Sequence, residues 1–404
     1  MPWTEPAGDD TWRVRYRRAD GTKGAISGFS TADAAEDHIS TMLHEQRTGT
    51  WIDPVDGRTT IAQFAPAWLD SLDIDQRTEE NYRSFLKVHI LPRWGNTTFA
   101  ELTNLEIRKW EKKLRASGLA KTTVDSIIKC FSLLLSDAVP EKLIAANPLV
   151  ARRRGRRRRA QRTPRKIWGE PAEVLHVADQ AALKYGPCGA VLIVTGGWTG
   201  ARWGELTGLD RGNVHLYDDD TGSIYLDPDI GALHEPCSGP LYLGHLKTDE
   251  SERTISLPPF LVRLLRWHLT THNHRQVFVT PNLEWHRRSN FSRRAFRPAA
   301  DGNLHIPNPA IRLQPAKPGL TFHGLRHSHK TWMIDDGIPE IAQALRLGHV
   351  LQDKVQETYS HVAAAVEHRL LDSLQARWDK AVADSTTTAE EALWRACACD
   401  SETA

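Results

Sequence analysis

The feature that most constrains the fold of this chain is a basic run near its middle. Residues 151–166 hold nine arginines and one lysine and no acidic residue. A folded core cannot pair that many guanidinium groups, so this run is expected to be solvated rather than packed. It therefore predicts that the chain of 404 residues forms separate folding units on either side of a basic linker at 151–166.

The charge of the basic linker also predicts a partner. Most of the charge comes from one nearly continuous block, which consists of Arg152, Arg153, Arg154, Arg156, Arg157, Arg158 and Arg159. Each phosphate that such a block neutralises releases counterions, so contact with a nucleic-acid backbone is favoured. The alternative is an exposed linker whose charge is incidental. Since the formal net charge of the whole chain is only +2, the prediction depends on this local block.

The rest of the composition is that of a globular protein. Hydrophobic residues make up 40% of the chain and charged residues 25%. No apolar run approaches the roughly 20 residues that cross a bilayer, and no basic segment followed by an apolar one opens the sequence. The 5 cysteines are scattered and odd in number, which favours neither a disulfide framework nor a zinc site. We therefore expect a cytoplasmic protein without a membrane contact.

Residues 1–55 are expected to form a small β-sheet with one helix. Apolar residues alternate with arginines over 11–17, which is the period of a strand with two unlike faces. A turn at 20–21 and a return strand at 25–29 follow, and then a helix over 31–43. The arginine face favours a minor DNA-binding module, and a plain structural appendage is an equal alternative.

Residues 56–150 show the apolar spacing of helices and predict a bundle of four or five of them. The apolar positions include Ile61, Phe64, Ala65, Trp68, Leu72, Leu105, Trp110, Leu114, Ile127, Phe131 and Leu135. Basic residues are dispersed over this segment, as is typical of solvated helix faces. We find no catalytic chemistry in it.

Residues 167–383 mix helices with short strands. We expect strand pairs at 213–217 with 223–226 and at 241–246 with 253–257, the second pair joined by a turn at 249–251. The predicted helices cover 170–185, 258–269, 287–296, 322–334, 339–347 and 363–382. The tail at 384–404 is expected to be a spacer before a short helix. The fold class predicted for the whole chain is therefore mainly α with small β-sheets.

Several common catalytic motifs are missing from the sequence. Residues 196–200 do not form a phosphate-binding P-loop, and no G-x-G-x-x-G follows a strand. No cluster of carboxylates is suited to two magnesium ions. The histidines near 323–329 and 272–274 have no carboxylate or cysteine at ligand spacing, so no metal site is predicted. We expect no cofactor.

Four short segments carry residues suited to phosphate chemistry. The first contains Arg202 and Glu205, three residues apart, so that the carboxylate can orient the guanidinium group. The other segments hold Lys247 before a tight turn, His323 with Arg326 and His327, and finally His349 with Tyr359 ten residues later. Taken singly, each has an ordinary explanation: a surface ion pair, a hairpin tip, or a tyrosine in a core or on a surface.

The order and spacing of these segments closely resemble the tyrosine recombinase family, the phage-type integrases. The matching strings are Thr-Gly-x-Arg-x-x-Glu-Leu at 199–206, His-x-Leu-Arg-His at 323–327, Leu-Gly-His at 347–349 and Thr-Tyr-Ser-His-Val at 358–362. The resemblance covers 167–383 as a mixed α/β catalytic domain. By position and character, 56–150 resembles the helical, SAM-like core-binding domain of that family. More loosely, 1–55 resembles its arm-type DNA-binding domain.

The residue types fit the chemistry that the resemblance implies. Tyr359 is the nucleophile expected to form a 3′-phosphotyrosyl link, and Arg202 and Arg326 can clamp the non-bridging oxygens of the phosphate. His349 can add a hydrogen bond there. Lys247 is suited to protonate the leaving 5′ oxygen and His323 to accept the tyrosine proton. The supporting residues are Glu205, which is expected to orient Arg202, and His327, which is expected to pack or orient its neighbours.

The function that the resemblance implies is site-specific DNA recombination by a mobile-element integrase. Double-stranded DNA with attachment-type sites would be the partner, held by a homotetramer that exchanges strands through a Holliday junction. An accessory directionality protein is a further candidate partner, and the protein would lie on the nucleoid when it is bound to DNA. The alternatives are DNA relaxation of the type IB topoisomerase kind and a DNA-binding protein that keeps the fold without catalysis.

Overall fold

The computed structural model describes residues 1–8, 10–18, 21–150, 166–237, 239–248, 251–349 and 362–385. The chain divides into two compact units, Met1–Ala160 and Gln161–Ala404. The arginine block of the predicted basic linker lies outside the described residues, as does most of the tail. Helices predominate in the described part, and the strands form small antiparallel sheets, so the predicted fold class is confirmed.

The first unit begins with an antiparallel sheet and a helix. The sheet has the order β1 (Trp3–Gly8), β2 (Thr11–Arg17) and β3 (Lys23–Phe29), and α1 spans Ala32–Thr48. Thr31 caps α1 by accepting a hydrogen bond from the Ala34 amide at 3.1 Å. Val14 and Tyr16 on one face of β2 are buried, as the alternation predicts.

Strand β1 was not expected from the sequence, and it changes the arginine face of β2. Glu5 of β1 lies opposite Arg13 in the strand register. Its carboxylate accepts hydrogen bonds from Arg13 Nε at 2.5 Å and from Arg15 Nε at 2.9 Å. These bonds lower the pKa of Glu5 to about 2, the bond from Arg15 most. Part of the positive charge on this face is therefore neutralised within the sheet.

The rest of the first unit is a helical bundle. Its described helices are α2 (Ile61–Asp70), α3 (Gln76–Phe85), α4 (Leu91–Trp94), α5 (Asn104–Ala116) and α6 (Lys121–Asp137). A π-helical turn at Leu86–Ile90 joins α3 to α4. Thr60 and Gln63 form a capping box at the start of α2. The rings of Trp94, Trp110 and Phe131 pack with centroids 5.8–6.0 Å apart at the centre of the bundle.

The second unit packs helices around one buried helix. Its described helices are α7 (Pro171–Tyr185), α8 (Pro187–Thr199), α9 (Trp203–Thr207), α10 (Pro259–Thr270), α11 (Arg288–Phe291), α12 (Arg297–Asp301), α13 (Phe322–Asp335), α14 (Glu340–Leu347) and α15 (Ala364–Ala383). Every residue of α8 from Gly189 to Thr199 is buried, because α7, α10 and α13 cover it. The predicted helices at 170–185, 258–269 and 322–334 are confirmed within two residues at each end.

Of the two strand pairs predicted in the second unit, the structure confirms 213–217 with 223–226 and changes the other. The described strands are β4 (Val214–Leu216), β5 (Gly222–Leu226), β6 (Ala232–His234), β7 (Tyr242–Gly244) and β8 (Arg253–Ser256). The predicted pair of 241–246 with 253–257 is wrong, since β8 pairs with β5 and β7 with β6. The register places Ile255 opposite Ile224, and both are fully buried. Burial of these two side chains accounts for the choice of partner.

No helix within the described ranges is long and apolar enough to cross a membrane.

Candidate active site

Arg202 lies in the tight connection between α8 and α9. Gly200 ends α8 with a positive φ of 66°, and Arg202 then precedes the first turn of α9 in an extended conformation. Glu205 sits three residues later and accepts from the Arg202 amide at 2.7 Å and from Arg202 Nη1 at 2.6 Å. Only 3% of the Glu205 side chain is exposed. Because the carboxylate is buried and the Arg202 side chain is 23% exposed, this is a partly buried pair and not a surface ion pair.

Arg326 reaches the same region from α13. Thr321 caps that helix by accepting from the Gly324 amide at 3.1 Å. Arg326 Nη1 donates to the Gly200 carbonyl at 2.9 Å, and Nη2 donates to the Leu347 carbonyl. Burial, together with the nearby positive charge of Arg202, lowers the pKa of Arg326 to about 9. The guanidinium group stays charged at neutral pH. Because its surroundings disfavour that charge, a bound anion would stabilise it.

The end of α14 brings His349 to this cluster. Gly348 ends the helix with a φ of 60°, and its carbonyl accepts from Arg202 Nη2 at 3.0 Å. His349 follows directly and is exposed at its surface. Burial lowers its pKa to about 4, and the next largest cause is Arg326. The imidazole is therefore neutral at physiological pH and can donate one hydrogen bond to a phosphate oxygen.

His323 and His327 share one face of α13 beside Arg326. Their ring centroids are 4.9 Å apart with nearly perpendicular planes. Although His323 is exposed at its surface, desolvation by neighbouring atoms, together with the charges of His327 and Arg326, lowers its pKa to about 4. The pKa of His327 is also lowered, mainly by burial. A neutral His323 has one ring nitrogen free of a proton, which is the state that a proton acceptor needs.

Lys247 is exposed and lies three residues beyond the end of β7. The residue after it, Thr248, has its hydroxyl 3.1 Å from the buried Ser251 hydroxyl. Ser251 Oγ in turn accepts from Arg202 Nη1 at 2.9 Å. The segment that carries Lys247 is therefore attached to Arg202 through two hydroxyl groups, although its hairpin is β6–β7 and not the predicted β7–β8.

The sequence-predicted site residues that the structure brings together are Arg202, Glu205, His323, Arg326, His327 and His349. Lys247 is joined to this group through its neighbours. Tyr359 lies outside the described residues, as do Arg152, Arg153, Arg154, Arg156, Arg157, Arg158 and Arg159. Their predicted roles therefore stay predictions. Within the described ranges, no group of three or more His, Cys, Asp or Glu side chains could hold a metal ion.

Sequence reasoning missed Arg253, which the structure places in the same cluster. It lies on β8, has 6% of its side chain exposed, and donates from Nη2 to Glu205 Oε2 at 2.9 Å. One signal was available in the sequence. Arg253 and Ile255 are two positions apart, so they face the same side of a strand, and a charged residue on a buried strand face needs a partner.

Sequence reasoning also missed the buried contact between Arg346 and His329, which lies next to this cluster. Arg346 of α14 donates from Nε to His329 Nε2 at 2.9 Å, and His329 Nδ1 lies 3.1 Å from the Gly197 carbonyl. Burial lowers the pKa of His329 well below its usual value, and Arg346 lowers it further. This histidine is therefore a neutral packing residue that links α8, α13 and α14.

The chain is similar in sequence to several integrases. It is 25% identical to a prophage phiRv2 integrase of Mycobacterium tuberculosis over 84% of this chain and 85% of that protein. It is 24% identical to the integrase of Mycobacterium phage L5 over 74% of this chain and 76% of that protein. The ICEBs1 integrase of Bacillus subtilis is 25% identical over 76% and 80%, respectively. No protein-family model matches the chain.

Solved structures share the fold at lower identity. The Tn1549 transposon integrase in complex with transposon right end DNA has a TM-score of 0.58 at 15% identity, covering 80% of this chain and 99% of that one. A lambda integrase dimer bound to a core site has a TM-score of 0.53 at 17% identity, covering 87% and 95%. These likenesses in sequence and fold agree with the ordered motifs at 199–206, 323–327 and 347–349. In sequence, motif order and fold, the chain is therefore similar to the phage-type integrases of the tyrosine recombinase family.

Proposed function

We propose that this chain is a site-specific DNA recombinase that cuts and rejoins DNA through a covalent 3′-phosphotyrosyl intermediate. The observation that carries the proposal is the cluster of Arg202, Arg253 and Arg326, in which Arg253 and Arg326 are buried and Arg202 is 23% exposed. In the described part of the chain, Arg202 and Arg253 share the Glu205 carboxylate, and Arg326 donates to the Gly200 and Leu347 carbonyl groups instead. The cluster therefore keeps excess positive charge beside neutral His349, which suits a phosphate that gains negative charge in its transition state.

The proposed reaction uses the chain's own side chains as acid, base and nucleophile. The Tyr359 oxygen attacks phosphorus and forms the O–P bond while the bond from phosphorus to the 5′ oxygen breaks. His323 accepts the phenol proton, and Lys247 gives a proton to the departing 5′ oxygen. The new phosphoester retains the energy of the old one, so a 5′ hydroxyl of another strand can reverse the step. Arg202, Arg326 and His349 stabilise the charge on the non-bridging oxygens.

Supporting roles follow from the contacts around this group. Glu205 holds Arg202 through both its backbone amide and its guanidinium group. His327 contacts the His323 ring edge to face and so fixes its orientation. The arginines of the basic linker are proposed to contact DNA phosphates. Residues 1–55 are proposed to bind arm-type sites and residues 56–150 to bind core sites. The catalytic domain is proposed to span 167–383.

The assembly is also part of the proposal. Lambda integrase, whose fold this chain shares, has been solved as a dimer on a core site and as a tetramer bound to a Holliday junction. We extend this to a homotetramer of the present chain on two attachment-type duplexes, acting on nucleoid DNA, with an accessory directionality protein as a further partner. The integrase relatives give no support to DNA relaxation or to a catalytically inactive DNA-binding protein.

A nicked suicide duplex that carries the attachment site of the encoding element tests the proposal. Cleavage near the nick releases a short strand, so the covalent protein–DNA adduct accumulates. We expect an adduct with the wild-type chain and none with Tyr359→Phe. Tyr217→Phe is a matched control, since Tyr217 is 60% exposed at the end of β4, and it should form the adduct at the wild-type level. An adduct with Tyr359→Phe would show that another residue is the nucleophile.

A further inference from the structure

Arg253 uses every nitrogen of its guanidinium group inside the candidate active site. Nη2 donates to Glu205 Oε2 at 2.9 Å, and Nη1 donates to the Ser251 carbonyl at 2.8 Å. Nε donates to the Arg346 carbonyl at 2.8 Å. Because its donors are occupied and 6% of the side chain is exposed, Arg253 has little left to offer a DNA phosphate. Its contacts are with the residues that shape the site.

The Glu205 carboxylate is divided between two guanidinium groups. Oε1 accepts from Arg202 Nη1 at 2.6 Å, and Oε2 accepts from Arg253 Nη2 at 2.9 Å. The Arg202 amide adds a third bond, to Oε2, at 2.7 Å. Rotation of this carboxylate would break bonds on both sides, so Arg253 fixes the plane in which Arg202 is held.

Three arginines also hold successive carbonyl groups at the end of α14. Arg253 donates to the carbonyl of residue 346, Arg326 to that of Leu347 and Arg202 to that of Gly348. The last carbonyl groups of a helix lack partners within the helix and carry partial negative charge, so cations are favoured there. Arg253 therefore belongs to the same frame as the two phosphate-clamping arginines and fixes the point from which His349 projects.

The same side chain reaches the segment that carries Lys247. Arg253 Nη1 binds the Ser251 carbonyl, and the Ser251 hydroxyl accepts from Arg202 Nη1 at 2.9 Å. The Ser251 amide donates to the Thr248 carbonyl at 2.9 Å, next to Lys247. The start of β8 thus connects the proposed general acid to the proposed phosphate clamp.

We propose that Arg253 is a positioning residue of the recombination reaction, which holds Glu205, the end of α14 and the Lys247 segment in the geometry that cleavage needs. The inference rests on the proposed function of the site. It predicts a role in the chemical step and not in DNA affinity. Without Arg253, Glu205 would be left to Arg202 alone and the carbonyl group of residue 346 would lose its partner.

Single-turnover cleavage of the suicide duplex by Arg253→Gln tests the inference. We expect the cleavage rate to fall by about tenfold or more, because small displacements of catalytic groups are costly, while the Kd for the duplex stays within about twofold. Glu205→Gln should slow cleavage comparably. If Arg253 acts through Glu205, the double variant should be little slower than Glu205→Gln alone. Wild-type cleavage by Arg253→Gln, or a loss of rate that is matched by an equal loss of DNA affinity, would overturn the inference.

Two further variants separate positioning from loss of fold. Arg263→Gln breaks a 2.7 Å ion pair with Asp220 elsewhere in the same unit and should leave the cleavage rate at the wild-type value. Arg253→Lys keeps the charge but cannot span its partners, so its rate should lie between those of the wild type and Arg253→Gln. If Arg253→Gln does not fold, a wild-type rate for Arg253→Lys refutes the inference. An adduct with Tyr359→Phe would instead refute the proposed function.

Discussion

The proposed role of Lys247 as general acid can be tested separately from its effect on DNA binding. Its replacement by alanine should slow cleavage by about 10²–10⁴-fold, since the leaving 5′ oxygen would depart without a proton. A 5′-bridging phosphorothiolate has a leaving group that needs no proton, so this substrate should restore most of the rate. Single-turnover cleavage of the two substrates measures the ratio. His245→Ala is the control, because His245 is 84% exposed two residues away, and it should cleave both at the wild-type rate. Equal slowing of Lys247→Ala on both substrates would exclude the general-acid role.

Individual residues differed in how far the sequence could reveal them. Arg202 and Arg326 belong to short strings with a fixed spacing, so their place in one site could be predicted without coordinates. Arg253 belongs to no such string, and its role depends on which face of β8 is buried, a fact that the strand register alone supplies. The depressed pKa values of His323 and His349, both about 4, likewise depend on burial that the sequence does not contain.

At the scale of elements, the turn at Gly200 is where a small change should have a large effect. A Cβ at Gly200 would lie 2.7 Å from Leu347 Cδ2 and 2.9 Å from His329 Cδ2, in a backbone with a φ of 66°. Gly337 has nearly the same φ, 65°, but open space around it. We expect Gly337→Ala to lower the free energy of unfolding by about 1–2 kcal/mol through backbone strain. Gly200→Ala should lose about 1–3 kcal/mol more through crowding, and it should also slow cleavage, because its carbonyl holds Arg326.

Urea unfolding of the two glycine variants and of the wild type measures this difference. Equal losses would mean that α8, α13 and α14 adjust to the extra methyl group and do not hold Arg326 rigidly. A wild-type cleavage rate for Gly200→Ala would likewise mean that these helices do not hold Arg326 rigidly.

Helices and strands with a strong hydrophobic period could be predicted from the sequence. Strands whose pairing depends on a partner far away in the sequence could not. The apolar spacing at 61–72 corresponds to α2, and the predicted helix at 31–43 corresponds to α1, which Thr31 caps. Strand β1 contains Pro6 and ends at Gly8, which are turn residues by pattern, and its contacts are the backbone pairing with β2 and the bonds from Arg13 and Arg15 to Glu5. The predicted pairing of β7 with β8 failed for a similar reason, because β8 pairs with β5 and so buries Ile255.

For the whole molecule, the basic linker predicted a division of the chain, and the structure divides into two compact units, Met1–Ala160 and Gln161–Ala404. The boundaries proposed for the individual domains and their DNA contacts stay predictions. They depend on how the chain meets DNA, and base contacts arise only where particular side chains reach the grooves. The sequence therefore supported the chemistry more fully than it supported recognition of a target site.

The buried histidines of the second unit predict how the stability of the molecule varies with pH. Burial lowers the pKa of His268 and of His286 to about 4, and that of His329 well below its usual value. The unfolded chain binds protons on these residues near pH 6.5, whereas the folded chain does not. Their contribution to stability is therefore fully present above about pH 7 and is lost as the pH falls toward 4. Ion-paired carboxylates such as Glu205 have lowered pKa values, so they lose their contribution only below about pH 4.5.

The interval between pH 7.5 and 5 thus isolates the histidines. Chemical denaturation followed by tryptophan fluorescence should give a lower free energy of unfolding for the second unit at pH 5, by up to about 2 kcal/mol for each fully buried histidine. His268→Gln should reduce the pH dependence, because its amide can still donate to the Val277 carbonyl, which His268 Nε2 contacts at 2.9 Å, but cannot be protonated. His215→Gln, at an exposed position of β4, should leave the dependence as it is. A flat profile from pH 7.5 to 5 would mean that the folded unit admits protons to these histidines, and that its core is more open to water than the packing of α8, α10 and α13 implies.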